Sequence, residues 1–209
     1  MPDRLRPSAP IAADAILVGD PGRALLLAQE LLERPKMSNH ARGLWGYSGR
    51  TPAGAELSIQ STGIGATSAA IVLRDLAELG VRRAIRVGTC TGEPLGALLV
   101  VEAAQAADTI RDLISAGEVA APDPGLLAAL AGAGRLAAVE SGGLAPGAEA
   151  DRPHDLQTAA LLAIARRLGV AAAALLIVVE SPGAERIGDE GIEMAAKGAG
   201  RAAAAALSG

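Results

Sequence analysis

The chain has no phenylalanine, a single tryptophan (Trp45) and a single tyrosine (Tyr47). Half of its residues are still apolar, almost all of them Ala, Leu, Val and Ile. A core can pack from these, but a site that grips a planar ring by stacking has little to stack with. One cysteine, Cys90, excludes an internal disulfide and a cysteine-based metal cluster. Both histidines, His40 and His154, are far from it in sequence, which favours a structural thiol over a nucleophile. There is no basic run and the net charge is −4, which argues against a phosphate-tracking nucleic-acid face. No stretch of roughly 18 uninterrupted apolar residues occurs, so nothing is expected to span a membrane. The opening Met1–Pro2–Asp3–Arg4–Leu5–Arg6 is too polar and proline-rich for a signal peptide, and a cytoplasmic location is the expectation.

The 209 residues suit one domain, given a usual range of roughly 50–250 residues, with residues 1–13 as an extended, proline-punctuated arm. Ala15–Val18 reads as a strand that ends in the turn Gly19-Asp20-Pro21-Gly22-Arg23, followed by a helix over Ala24–Glu33. Asp20 or Gly22 suits the helix start. The free N–H groups there, with Arg23 beside them, can hold an anion, or can simply be capped with Arg23 solvated. Ser38–Gly49 has loop chemistry leading into an edge strand; it carries both aromatics, Arg42 and a solvated His40. Leu57–Gln60 alternates like a half-buried strand and runs into Ser61-Thr62-Gly63-Ile64-Gly65. Gly63-x-Gly65 looks like the start of a dinucleotide fingerprint. However, Ser68 stands where its third glycine belongs, and the next strand ends in Arg86 rather than an acid, which excludes that reading. Thr67–Leu79 is a helix with Val72, Leu76 and Leu79 along one face, stopped by Gly80.

The stretch Ala84–Gly92 concentrates the chemistry. Apolar residues lead to Arg86, then to a turn of Gly88, Thr89 and Gly92. An arginine ending a buried strand is costly to desolvate unless an anion or an acid meets it. The Thr89 hydroxyl and the turn N–H groups are further donors to such an anion. The alternative is an arginine turned outward at a sheet edge.

Beyond it, Leu95–Ala104 reads as a long strand or strand pair, Asp108–Asp112 as a polar loop, Gly125–Ala131 as a short helix and Leu136–Val139 as a strand. A loop over Glu140–Ala150 follows. His154 opens a helix through Leu168 with Asp155 as its cap. Val170–Val179 is a fully apolar, central strand ending in Glu180-Ser181-Pro182-Gly183, and Asp189–Leu207 is a closing helix.

In an open α/β sheet, ligands gather outside the carboxyl ends of strands, so the turns after Val18, Gln60 and Arg86 are expected to meet in one pocket. The pieces Val18–Ala24, Arg42–Gly49, Ser61–Gly65 with its following helix, and Ile85–Cys90, in this order, resemble the nucleoside phosphorylase family that includes the hexameric purine nucleoside and uridine phosphorylases. The resemblance is concentrated in about residues 14–105. It implies an α/β three-layer sandwich, a mixed central β-sheet flanked by helices. It also implies pentosyltransferase activity: phosphate-dependent cleavage of the N-glycosidic bond of a purine or pyrimidine nucleoside, giving free base and pentose 1-phosphate. Inorganic phosphate would be a co-substrate, with no cofactor and no metal.

By the same resemblance, Gly19, Arg23, Arg42, Arg86 and Thr89 line the phosphate site. Arg42 crosses an interface into the neighbour's site, which implies a homodimer or higher homo-oligomer. Ile64, Cys90, Thr91, Leu144, Leu156, Gln157 and Ser181 face the nucleoside, and Arg86, Gln157 and Glu180 are the catalytic candidates. The nucleoside half departs from the family. Leu144 and Ala145 stand where relatives carry an aromatic pair, and Ala148 and Ala150 where uridine-type enzymes carry Gln and Arg. Leu156 replaces Met, and Gln157 replaces the ribose-binding Glu. Purine-type relatives end the last strand with Ser-Asp, whose Asp protonates the base. Here Glu180 comes one residue early and enters the site only if the strand end shifts. Two readings follow: a working phosphorylase with an unusual base pocket, or a non-catalytic homologue binding phosphate or a sugar phosphate. A nucleoside hydrolase would not need the arginine set.

Overall fold

The computed structural model describes residues 2, 4–108, 110–111, 119–142 and 152–209. Strands form where β-branched and aliphatic residues run together, and helices where apolar residues recur on one face. The order is β1 (Asp14–Val18), α1 (Pro21–Leu31), β2 (Glu33–Asn39), a short 3-10 turn at Ala41–Gly43, β3 (Gly46–Arg50), β4 (Glu56–Ser61), α2 (Ala66–Glu78), β5 (Arg83–Thr91) and β6 (Leu98–Ala106). Then come β7 (Val119–Ala120), α3 (Pro124–Ala129), β8 (Arg135–Ser141), β9 (His154–Asp155), α4 (Thr158–Leu168), β10 (Ala171–Glu180) and α5 (Asp189–Ser208).

These build the expected three layers. The strands run β2-β3-β4-β1-β5, and β5 pairs with β10 along its length. β1, β4, β5 and β10 are mutually parallel, whereas β2, β3 and the β10–β6 pair are antiparallel. On one face α2 and α4 cover a core that includes Leu73, Leu76 and Leu161; on the other, α1 and α5 cover Ile16, Leu27, Ile59 and Ile85. Both faces are therefore buried, and β1 and β10 read as nearly continuous apolar runs.

The pairings also close a ring that the sequence does not announce. β5 pairs β10, β10 pairs β6, β6 pairs β8, β8 pairs β9, and β9 returns to β5 through the single Thr91–His154 bridge. The C-terminal half of the sheet is thus a small barrel whose last seam is a single residue pair.

Several expectations need correction. Arg86 does not end its strand: β5 continues through Gly88, Thr89 and Cys90 to Thr91, because β10 pairs with it residue by residue over that stretch. The edge strand is β2, not the stretch after Ser38, since β3 lies between β2 and β4. β2 hides from pattern reading because its first five residues show no alternation of burial and Arg34 adopts φ 47°. α1 ends at Leu31, ahead of Pro35, whose ring cannot continue a helix. His154 and Asp155 form β9, and α4 starts only at Thr158 with Gln157 in the cap position.

The arm is anchored. The buried Asp75 carboxylate on α2 accepts the N–H groups of Arg4 and Leu5 at 2.7 and 2.9 Å. Burial pushes this carboxyl up, but those two N–H donors and Arg74 outweigh it and hold it below the usual carboxylate range.

Candidate functional site

Three connections reach one place. A Cβ on Gly19, just after β1, would stand 3.5 Å from the carbonyl of Gly63 and 3.9 Å from Gln157 Oε1. The turns after β1 and β4 and the segment before α4 therefore touch. Beside them opens a cleft of about 450 Å³ at the carboxyl ends of the parallel strands, a size usual for small-molecule sites, roughly 300–1,000 Å³. A second hollow of about 500 Å³ lies between the arm and the β2–β3 hairpin. Its Arg50 is exposed and already paired with Glu56 at 2.7 Å, and it holds none of the candidate residues.

Arg86 lies at the cleft, 4% exposed. Its Nε donates to Thr158 Oγ1 at 3.1 Å, one terminal nitrogen to Gln157 Oε1 at 2.7 Å and the other to Asp155 Oδ2 at 2.9 Å. Asp155 also accepts the backbone N–H groups of Gln157 and Thr158 and the Thr158 hydroxyl. It thus caps the start of α4 from two residues upstream while neutralising the arginine. Room for the guanidinium comes from Gly88, where a Cβ would lie 2.5 Å from Arg86 Cζ and 2.8 Å from Leu176 Cδ2. Of the five guanidinium N–H groups, one on each terminal nitrogen is left uncommitted among the described residues.

Gln157 is equally occupied. Its Oε1 accepts from Arg86 and from the Thr62 hydroxyl at 3.2 Å, and its Nε2 donates to the carbonyls of Gly63 and Gly65. The amide thereby ties Arg86 to the Gly63–Gly65 loop. That loop needs Gly63, at φ 73°, whose Cβ would press on the Ser68 hydroxyl at 2.7 Å.

Arg23 is half-buried in the first turn of α1, which Asp20 caps by accepting the Arg23 N–H at 2.7 Å. Burial pushes its guanidinium below the usual arginine value, Arg86 and Arg186 push the same way, and Asp20 opposes them. An arginine stays charged regardless, so the direction reports chiefly a cation drawn partly out of water, with two further arginines close by. Arg186 lies on the rim, donating to Glu180 Oε1 at 2.6 Å.

Glu180 lines the cleft at a point where β10 slips by one residue: Val178 pairs with Cys90, but Glu180, not Val179, pairs with Thr91. The register thus carries a one-residue bulge at the strand end beside Glu180. The thiol of Cys90 donates to the carbonyl of Ile177 at 3.7 Å. Burial pushes it up to about 12, Asp155 adds to the rise and Arg86 opposes it. Burial of this kind favours a structural thiol, and distance to histidine does not carry that reading, for His154 pairs with Thr91, the residue next to Cys90.

The cleft therefore gathers Gly19, Arg23, Ile64, Arg86, Thr89, Cys90, Thr91, Leu156, Gln157 and Glu180 from the candidates. Ile64 lines it while 82% exposed. Arg42 stands exposed in the 3-10 turn at φ 60°, and neither it nor Ser181 lines this cleft. Leu144 falls outside the described residues. Sequence reasoning missed Asp155 as the partner of Arg86, Arg186 as a rim cation, and His154 as part of the wall. The only signal for Asp155 was the stated demand of a buried arginine for an acid.

The fold and this cleft define a class: a three-layer α/β protein with a buried arginine and further cations at the carboxyl ends of parallel strands. The family model of the Phosphorylase superfamily matches residues 14–145. The chain belongs to that superfamily. Over 81 residues it is 44% identical to the DeoD-type purine nucleoside phosphorylase of Oceanobacillus iheyensis, 38% of this chain and 34% of that protein. Over 87 residues it is 41% identical to the DeoD-type enzyme of Clostridium beijerinckii, 41% of this chain and 36% of that protein. These matches span about a third of the length of the curated relatives. The fold is similar to that of uridine phosphorylase from Vibrio fischeri, solved with 6-hydroxy-1-naphthoic acid, at TM-score 0.78 and 22% identity over 94% of this chain and 90% of that one.

Proposed function

We propose that the protein is a pentosyltransferase that cleaves the N-glycosidic bond of a purine or pyrimidine nucleoside with inorganic phosphate, giving free base and pentose 1-phosphate. The observation that carries this is the single cleft in which Gly19, Arg23, Arg86 and Thr89 converge, with Arg186 on its rim. Phosphate is a compact dianion, and arginine forks with hydroxyl and backbone donors suit it. In this reaction a phosphate oxygen forms the bond to C1′ as the bond from C1′ to the base nitrogen breaks. The electron pair leaves with the base, and a proton must reach it.

Arg23 and the uncommitted Arg86 N–H groups hold the nucleophile, and Thr89 adds a hydroxyl. Ile64 and Leu156 form the apolar flank of the sugar. Gln157, spent on Arg86 and the Gly63–Gly65 loop, acts as a positioning residue. Glu180, beside Thr91, is the proton donor to the leaving base once Arg186 has left it for phosphate and its carboxylate has taken up a proton from solvent. Arg42 completes a neighbour's site in a homo-oligomer. DeoD-type relatives favour a purine, and the uridine phosphorylase fold leaves a pyrimidine open.

A second reading is favoured by the Arg86–Asp155 pair, which already neutralises the buried cation: a phosphate or sugar phosphate binder without turnover. Incubation with a nucleoside panel, with and without phosphate, separates them. Phosphate-dependent base release supports the enzyme. Absence of release with calorimetric phosphate binding that Arg23→Ala abolishes supports the binder, and absence of phosphate binding to the wild type overturns both.

A further inference from the structure

Among the described residues, four buried side-chain atoms lack a hydrogen-bond partner: Ser38 Oγ, Gln60 Oε1, Ser61 Oγ and His154 Nε2. The first three belong to β2 and β4 and none of those residues lines the cleft; His154 does, while only 6% exposed. A buried polar atom without a partner costs about 1–3 kcal/mol, and native proteins rarely leave one so. At a cleft wall the missing partner is naturally a ligand.

The position of His154 says which part of the ligand. It pairs with Thr91 on one side of β5, and Glu180 pairs with Thr91 on the other. Residues opposite one another on neighbouring strands share a face of the sheet. Asp155, the next residue, is the one that holds Arg86 at 2.9 Å, so His154 lies one residue beyond the arginine's acidic partner, across Thr91 from Glu180 at that end of the cleft. Nearby, Cys90 presents a protonated thiol and Val179 an aliphatic surface. This end of the cleft lacks a free cation, because Arg186 is engaged with Glu180, and it lacks an aromatic side chain among the described residues. It suits an uncharged heterocycle gripped by its edge rather than by its face.

We propose that His154 is the base-reading residue of this cleft: its Nε2 forms a hydrogen bond to the edge of a neutral nucleobase, at a ring nitrogen or carbonyl. The inference rests on the nucleoside reading of the site. An imidazole nitrogen donates or accepts according to tautomer, so one histidine serves either edge chemistry. Edge recognition by one polar atom stands in for stacking, since no Phe, Tyr or Trp is among the described residues that line the cleft.

The test uses the full-length protein and begins with the wild type. With only two histidines in the chain, nitrogen-15 imidazole spectra resolve His154 from His40. Adenine, hypoxanthine and uracil are then titrated in the presence of phosphate. A shift of His154 Nε2 with at least one base, while His40 stays put, supports the proposal; no shift with any base overturns it. His154→Phe, which keeps the ring and removes the polar atom, should lower kcat/KM for nucleosides, or base affinity, about 10- to 100-fold. Phosphate affinity should remain within twofold. His154→Gln, whose amide reaches the same place as Nε2, should recover most of the loss. A His154→Phe variant within twofold of wild type for every base overturns the proposal and leaves phosphorolysis standing. Base binding that depends on His154, without any turnover, sustains it and discards phosphorolysis.

Discussion

At the scale of single residues, the buried guanidinium of Arg86 sets the terms. It survives away from water only because Asp155, Gln157 and Thr158 all accept from it. Removing one partner of a buried ion pair typically costs about 3–5 kcal/mol, because the other charge is left uncompensated. Asp155→Ala should therefore lower unfolding free energy in urea melts by about that amount, and Asp155→Asn by less, since an amide still accepts the α4 N–H groups. Gly88→Ala should displace the arginine instead of merely crowding it, because the new methyl would overlap the guanidinium carbon. The readout is lost phosphate binding with a smaller fall in Tm. Cys90 supplies a different check. With its thiol pushed up to about 12, almost no thiolate exists at pH 8. Iodoacetamide should leave the native protein unlabelled and should modify Cys90 once the chain is unfolded in urea.

Elements bring in the arm and the strand ends. Asp75 joins residues 4 and 5 to α2, and its carboxyl sits lower in the folded state than in the unfolded chain. A depressed carboxyl contributes stability that is present above its unfolded value, about 3.9, and is lost as pH falls through the folded value. The arm should therefore loosen in the acid range below about pH 4. Asp75→Ala should expose it to proteolysis even at pH 7, at a cost of about 1–3 kcal/mol for the orphaned N–H groups. A variant as protease-resistant as wild type would rule the anchor out.

The same scale shows what pattern reading reaches. The apolar runs of β1 and β10 lie in the sequence, because burial on both sides of a sheet demands continuous aliphatic residues, as do the alternation of β4 and the periodicity of α2. β2 does not, being exposed along most of its length and bent at Arg34. Nor does the extension of β5 past Arg86, which depends on a partner strand ninety or so positions away. β9 is two residues long and carries no periodicity at all.

For the whole molecule, the site was legible where one connection carries its own chemistry: Gly19 and Arg23 after β1, Ile64 after β4, Arg86 and Thr89 along β5. It was illegible where tertiary pairing decides. Asp155 looked like a local cap because capping is a contact within one helix start, whereas its ion pair spans the fold. The proposed role of Arg42 belongs to this scale too. If it serves a neighbour's cleft, Arg23→Ala and Arg42→Ala chains should each be impaired alone. Co-expressed, they should regain activity, since one cleft of each mixed pair then has both arginines. If Arg42 acts within its own chain, the mixture recovers nothing.

The Arg86–Asp155 pair also governs how an anion would arrive. A cation cancelled at the floor projects little field into solvent, and Arg186 at the rim is likewise paired with Glu180, so long-range attraction must come from Arg23. Rim charges are screened within a Debye length, about 8 Å at physiological ionic strength, and such charges govern encounter more than retention. Raising salt should accordingly slow the association rate of phosphate severalfold and leave its dissociation rate nearly unchanged.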